Sequence, residues 1–368
     1  MQPFEPQPSD QAGRQADPYA QQGGWVPAQN TPAASYAQQY TSGSYPSAPP
    51  AAYPAPYGSY PGVPVPPAPP QRQPRGLSPF GLPARHSWEI PMLVVVVVLT
   101  AFAYLIALVL LATGNFDQYV LAFAAAPLLL WFGRGVNYAS QRVNGVKMSP
   151  TQFPEGYQMV VDAAARFGMA KVPDAYVVLG NGQINAFASG HGFRRYVVVY
   201  SDLFEIGGAA REPDALAFII GHEVGHIAAG HTSYWRQLGM FLVPFLPIVG
   251  NSLIRAQEYT ADNHGFCNRH TGASAAMGTL AAGKYMNRLV GFDEMADRAA
   301  VEKGFFVWMV NALSSHPVLT WRMWALRDRS RHGKLFLRPA PPAGAGVPAG
   351  GYASSYGQVP ASPPKSAL

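Results

Sequence analysis

The 368 residues include a single cysteine, Cys267, so no disulfide can form within the chain and nothing in it demands an oxidising compartment. Cys267 itself reads as a small buried apolar residue rather than a reactive thiol. Charge is scarce too, at 12% of residues. The net charge of +6 comes from scattered basic residues with no dense Lys/Arg run, which argues against nucleic acid and for anionic lipid headgroups. Leu and Ile are almost missing from Met1 to about Ser87, where Pro, Gln, Ala, Tyr, Gly and Ser dominate. Such a segment cannot bury enough apolar surface to offset its ordering entropy, so residues 1–88 are expected to be a disordered tail, partly polyproline II. Residues 339–368 repeat that composition on a smaller scale, and both tails are candidate surfaces for other proteins.

Between them the sequence changes character. Ile90 to Thr113 carries no charge and is long enough to cross a bilayer as a helix. A second apolar run, Tyr119 to Gly133, is shorter and contains Pro127, so its span, about 117–133, recruits Phe116 or a thinned bilayer. Residues 89–134 are therefore expected to form a transmembrane helical hairpin; the alternative is a buried hairpin of a soluble protein. A cleaved signal peptide does not fit a run that starts after about ninety residues. Arg72, Arg75 and Arg85 precede the first span, and Arg134, Arg142 and Lys147 follow the second, while the connection carries Asp117 and no basic residue. The positive-inside rule then places both flanks in the cytoplasm of a multi-pass inner or plasma membrane protein. A third uncharged stretch, Gln237 to Ile254, holds Pro244 and Pro247. It reads either as a membrane-dipping loop or as an apolar lid on the protein.

From Lys147 to about Arg338 the patterning is that of a globular α+β domain, mainly helical with a small sheet. A helix is expected over Pro154 to Phe167, then strands near Ala175 to Leu179, Ile184 to Ser189 and Tyr196 to Tyr200, connected as hairpins through glycines. The next helix, with Pro213 in its first turn, carries His222-Glu223-Val224-Gly225-His226. Histidines four apart leave successive turns in the same direction and can reach one ion. Glu223 lies beside them, placed to take a proton from metal-bound water without being a ligand. Two surface histidines on a helix would be the plain alternative, and it would leave the downstream sequence unconstrained.

A catalytic zinc takes a third protein ligand. The metzincin spacing would require Gly and His where the chain has Ala229 and Thr232, so that subclass is excluded. No Asp or Glu occurs from Ile227 to Gln257, and the first carboxylates met are Glu258 and Asp262, four apart in an expected helix from Leu253 to Cys267. Glu258 can complete a two-His, one-Glu site, with Asp262 supporting a ligand histidine from behind; two solvated surface acids are the alternative. A pair of like charges at that spacing with no basic partner is otherwise unfavourable on a helix.

These residues, together with His231, the Glu258-Tyr259-Thr260-Ala261-Asp262 segment, the Asn185-Ala186-Phe187-Ala188 strand and His316-Pro317, resemble the HtpX-like and CAAX-prenyl-protease-like family of membrane zinc endopeptidases, of gluzincin type. The similarity covers about Lys147 to Arg329. It implies a zincin-like fold, one Zn2+ held by His222, His226 and Glu258, Glu223 as general base and Asp262 as support. The long Pro/Gln/Tyr-rich tail and the Pro-containing 237–254 stretch depart from the family.

On this reading the chain is a membrane-anchored zinc endopeptidase acting on polypeptide segments of cytoplasmic or membrane proteins, in keeping with quality control. A catalytically silent, zinc-stabilised membrane scaffold is the rival. His316, with Arg322 behind it, is a candidate second oxyanion donor, although a residue before proline also suits a loop or cap. Asn185, Ala186 and Phe187 are the candidate substrate-binding strand, with either Ile184 to Ser189 or Tyr196 to Tyr200 as the exposed edge to which an extended substrate adds. His231, five positions past His226, is expected to be structural and to face away from the histidine pair.

Overall fold

The computed structural model describes residues 83–207, 212–327 and 332–340. The two expected tails, apart from their innermost residues, and the flanking Arg72 and Arg75 lie outside the described residues.

The first apolar run forms α1, Glu89–Ala112, and the second forms α2, Gln118–Asn144. Asp117 caps α2 by accepting the Tyr119 N–H at 2.8 Å. Both helices are long and apolar enough to cross a membrane. Neither is a core helix: Val94, Val98, Phe102 and Leu108 of α1 are all more than half exposed. Helix α2 outlasts the apolar run that announces it by about three turns. Its polar end continues because it packs on the sheet, where Tyr138 stacks on Tyr196 with ring centroids 4.9 Å apart.

The sheet has four strands, β1 (Val146–Lys147), β2 (Asp174–Val178), β3 (Ala186–His191) and β4 (Arg194–Tyr200), in the order β1-β2-β4-β3. Helix α3, Pro154–Arg166, precedes β2. Strands β3 and β4 form the expected hairpin, but β2 and β4 pair in parallel. The reason lies in β4: Tyr196, Val197, Val198 and Val199 are all fully buried, so both faces are covered and the strand takes the interior place. This corrects the expectation that Tyr196 to Tyr200 might offer a free edge. That edge belongs to β3 alone on this side of the sheet.

Short helix α4, Ser201–Gly207, leads towards α5, Pro213–Ala228, which begins at Pro213 as expected and is buried along most of its length. After α6, Tyr234–Gly239, and a 3-10 turn at Val243–Phe245 comes α7, Pro247–Arg269. Pro244 and Pro247 each occupy the first turn of a helical segment, where the missing N–H costs nothing. The 237–254 stretch is thus neither one loop nor one lid. Its first half lies against the hairpin: the Phe241 ring is 5.2 Å from Phe123 and 6.2 Å from Tyr104, centroid to centroid. Its second half opens α7.

Helices α8 (Ala273–Met286), α9 (Phe292–Val301), α10 (Phe305–Leu313) and α11 (Leu319–Arg327) complete the domain. Leu216, Phe218 and Ile220 of α5 share a core with Leu253, Met277, Met323 and Trp324. The decisive packing is α5 on α7, which meet through glycines. A Cβ at Gly221 would stand 2.6 Å from the Asn268 Cβ, and one at Gly225 would stand 2.4 Å from the His264 Cβ. A Cβ at Gly265 would stand 2.9 Å from the Phe218 carbonyl oxygen. With no side chain at these points the two helices touch backbone to side-chain root, at a separation that larger residues would forbid. Asn268 pins the crossing by donating to the Ala217 carbonyl at 2.8 Å.

Candidate metal centre

The close approach of α5 and α7 brings three side chains to one point. His222 and His226 leave successive turns of α5, and their Nε2 atoms are 3.2 Å apart. Glu258 arrives from α7, one oxygen 3.5 Å from His222 Nε2 and the other 3.4 Å from His226 Nε2. An ion bound at the usual 2.0–2.1 Å with tetrahedral angles needs ligand atoms about 3.4 Å apart. Each contact is close to that separation, with one carboxylate oxygen facing each imidazole, and the cluster has the donor types of a zinc site. The cluster also draws positive charge. Burial alone would strip His222 of its proton, yet its bonds to Asp262 and Glu258 lift its pKa to about 9. Glu258 is buried, which raises a carboxyl, but the two imidazoles hold it well below the ordinary range.

Asp262 sits one turn beyond Glu258, and its Oδ1 is 2.9 Å from His222 Nδ1. A proton on that nitrogen leaves Nε2 with its lone pair aimed into the cluster. Arg322 of α11 clamps the same carboxylate, with Nε 2.7 Å from Oδ2 and Nη2 2.6 Å from Oδ1. Burial pushes the Asp262 carboxyl up, and Arg322 and His222 together outweigh it and leave it lowered. Asp262 has no Lys or Arg one turn away on α7, and its cation is supplied from a helix some sixty residues away. Arg322, expected behind His316, is buried against Asp262.

Glu223 is buried on α5 beside the cluster. His316 stands at its open side, with Nε2 3.7 Å from Glu258 Oε2 and the side chain 64% exposed. Ala186 opens β3, and Asn185 just before it accepts the Tyr200 N–H at 3.0 Å. Antiparallel pairs alternate, so Asn185, Phe187 and Ser189 direct their backbone groups at β4, and Ala186, Ala188 and Gly190 present theirs outward.

Two residues escaped the sequence reading. His231 does not face away: its Nδ1 is 2.8 Å from His226 Nδ1. The turn after α5, closed by Gly230 at φ 76°, folds it back over the helix end. It is not among the three converging ligands, and burial drives its pKa down to about 3, so it is neutral. Glu89, the first residue of α1, is fully buried, and one of its oxygens is 3.1 Å from His231 Nε2. An acid abutting a membrane-length apolar run was the available signal.

A buried helix bearing His-Glu-x-x-His, faced by a glutamate from a second helix and flanked by a small sheet, makes this an α+β zincin-like metalloprotease domain. Two overlapping segments, 150–246 and 235–330, match the sequence model of Peptidase family M48. The domain belongs to that family, and the chain is a zinc metalloprotease whose substrates are polypeptides. No curated protein matches the chain.

Proposed function

We propose that the chain is a membrane-anchored endopeptidase in which His222, His226 and Glu258 hold one zinc ion and Glu223 is the general base. The observation that carries this reading is the convergence of the two Nε2 atoms and the Glu258 carboxylate, with contacts of 3.2–3.5 Å. A zinc ion there would supply Lewis acidity, lowering the pKa of a water to roughly 7 and polarising a carbonyl. Glu223 accepts the proton as the water attacks a peptide carbonyl and then delivers it to the leaving amine. Asp262, held by Arg322, fixes the tautomer and aim of His222. His316, at the open side of the cluster, donates to the developing oxyanion.

The substrate adds as an extended strand to the outward groups of Ala186, Ala188 and Gly190. This docking reads backbone, which suits unfolded segments of cytoplasmic or membrane proteins and a role in quality control. Membrane anchoring is supported by the exposed apolar surfaces of α1 and α2. Arg85 before the pair and Arg142 and Lys147 after it support cytoplasmic placement of the domain.

Casein digestion by the detergent-purified chain tests the chemistry: it should stop on chelation, return with zinc, and be absent in Glu258→Gln. Chelator-resistant cleavage would overturn the assignment. A reporter fused after Lys147 tests the orientation and should report from the cytoplasm.

A further inference from the structure

The two histidines of the cluster are supported differently. His222 meets a carboxylate directly, in Asp262. The Nδ1 of His226 meets His231 instead, at 2.8 Å, and His231 passes the contact on through Nε2 to Glu89 Oε1 at 3.1 Å. Glu89 is 0% exposed and lies 142 residues earlier in the chain, at the head of α1. The helix N-terminus and the nearby Arg85 suit an acid at this position but do not require its complete burial. Its carboxylate is nonetheless fully used: Arg85 and Arg236 reach Oε1 at 2.8 and 2.6 Å, and Thr260 donates to Oε2.

The proton positions along this chain of contacts follow from its end. A carboxylate only accepts, so His231 Nε2 must be the N–H that donates to it. A neutral imidazole then has its lone pair on Nδ1, which accepts from His226 Nδ1–H. The lone pair of His226 is left on Nε2, the atom that faces His222 and Glu258. If His231 were turned over, or its far end lacked an acceptor, the His226 tautomer would no longer be determined. The network extends to the second ligand helix as well, because Thr260, which donates to Glu89, is two residues from Glu258.

We propose that Glu89 is a positioning residue for the metal centre: acting through His231, it sets the tautomer and orientation of His226 and so ties the first membrane helix to the ion site. This rests on the reading of His226 as a ligand. Histidine ligands commonly donate their second nitrogen to a carboxylate, directly or through an intermediary, and loss of such a partner lowers metal affinity by about 10–100-fold.

The test uses the full chain in detergent, with zinc affinity measured by chelator competition, the visible spectrum of the cobalt(II) form, and peptide kinetics. Glu89→Leu keeps the side chain's bulk and removes the acceptor; His231→Leu breaks the link and leaves Glu89 paired with Arg85, Arg236 and Thr260. Each should weaken zinc by about 10–100-fold and change the cobalt spectrum, and the double variant should be no worse than the weaker single, because both cut one connection. Wild-type zinc affinity and cobalt spectrum in either folded single variant, or additive losses in the double, would overturn the proposal. If one variant does not fold, the other decides by the same measurements. His226→Ala separates the two levels: if it leaves zinc affinity unchanged, the ligand reading itself fails, whereas loss of zinc there with none in Glu89→Leu and His231→Leu defeats the positioning role alone.

Discussion

Replacing Gly225 with alanine adds one methyl group inside the metal-binding motif, at a position that carries no chemistry. The methyl would lie 2.4 Å from the Cβ and 2.8 Å from the Cγ of His264, where ordinary contact begins at 3.4 Å. Neither helix can yield by rotating a flexible tip, because the obstacle is the root of a buried side chain. Helices α5 and α7 must therefore part by about 1 Å at this level, since close-packed interiors leave no void to absorb the group. Overpacking of this kind costs about 1–3 kcal/mol, and alanine recovers about 1 kcal/mol of helix propensity over glycine. The net loss of stability is then about 0–2 kcal/mol, a small shift in melting temperature. The ion cage suffers more. Its imidazoles ride on α5 and its carboxylate on α7, so a parting of about 1 Å opens the His–Glu edges from 3.4–3.5 Å beyond the reach of one ion. Zinc affinity should fall by about 10–100-fold and kcat/KM by about 100-fold, out of proportion to the change in melting. Chelator competition, casein hydrolysis and thermal melting of the same preparation measure all three. An alanine variant that binds zinc and turns over like the parent would refute the claim that this crossing sets the cage.

Four further outcomes are expected. Glu223→Gln should retain zinc, as measured by metal analysis, and lose cleavage by a factor of at least about 100. Arg322→Met leaves Asp262 buried without its cation and should cost about 3–5 kcal/mol, read as a lowered melting temperature, with zinc affinity falling alongside. Ala188→Pro removes one outward N–H of β3 without touching the ladder to β4, and should raise KM for an extended peptide by up to about tenfold while leaving zinc affinity unchanged. Finally, burial holds His264 neutral with a pKa lowered to about 4, against its hydrogen bond to the Thr260 carbonyl. The unfolded chain takes up that proton near pH 6.5, so the stability gained is complete above 6.5 and is lost as pH falls towards 4, about 3 kcal/mol in all. Denaturant titrations of the metal-free protein across this window should show the slope, and His264→Gln should flatten it.

The fold was legible wherever one residue dictates a local event. Pro213 opened α5, the uncharged run gave α1, and the i, i+4 spacing of His222 and His226, and of Glu258 and Asp262, placed four side chains on two helices. What escaped is set by tertiary contacts. The parallel pairing of β2 with β4 depends on which strand is covered on both faces, and a run such as Tyr196–Tyr200 reads the same at an edge as inside. The pairing of Arg322 with Asp262 is not legible in the sequence, because a charge on one helix carries no label for the acid it will meet on another. His231 was judged by helical spacing although the helix ends at Ala228 and the chain turns back at Gly230. Gly225 was an unspecified position in the motif until the neighbouring helix was in view.

The stretch from Ile227 to Gln257, through α6 and into α7, is the shortest covalent route from the imidazoles to the carboxylate, and part of it leans on the hairpin. Gly239 lies against Val97, Tyr234 donates to the Pro127 carbonyl at 2.8 Å, and Phe241 packs on the Tyr104–Phe123 pair. Solubilising agents that loosen those greasy contacts should therefore slacken the tether between the two halves of the cage. On the proposed membrane anchoring, turnover ought to vary with acyl-chain length in reconstituted vesicles.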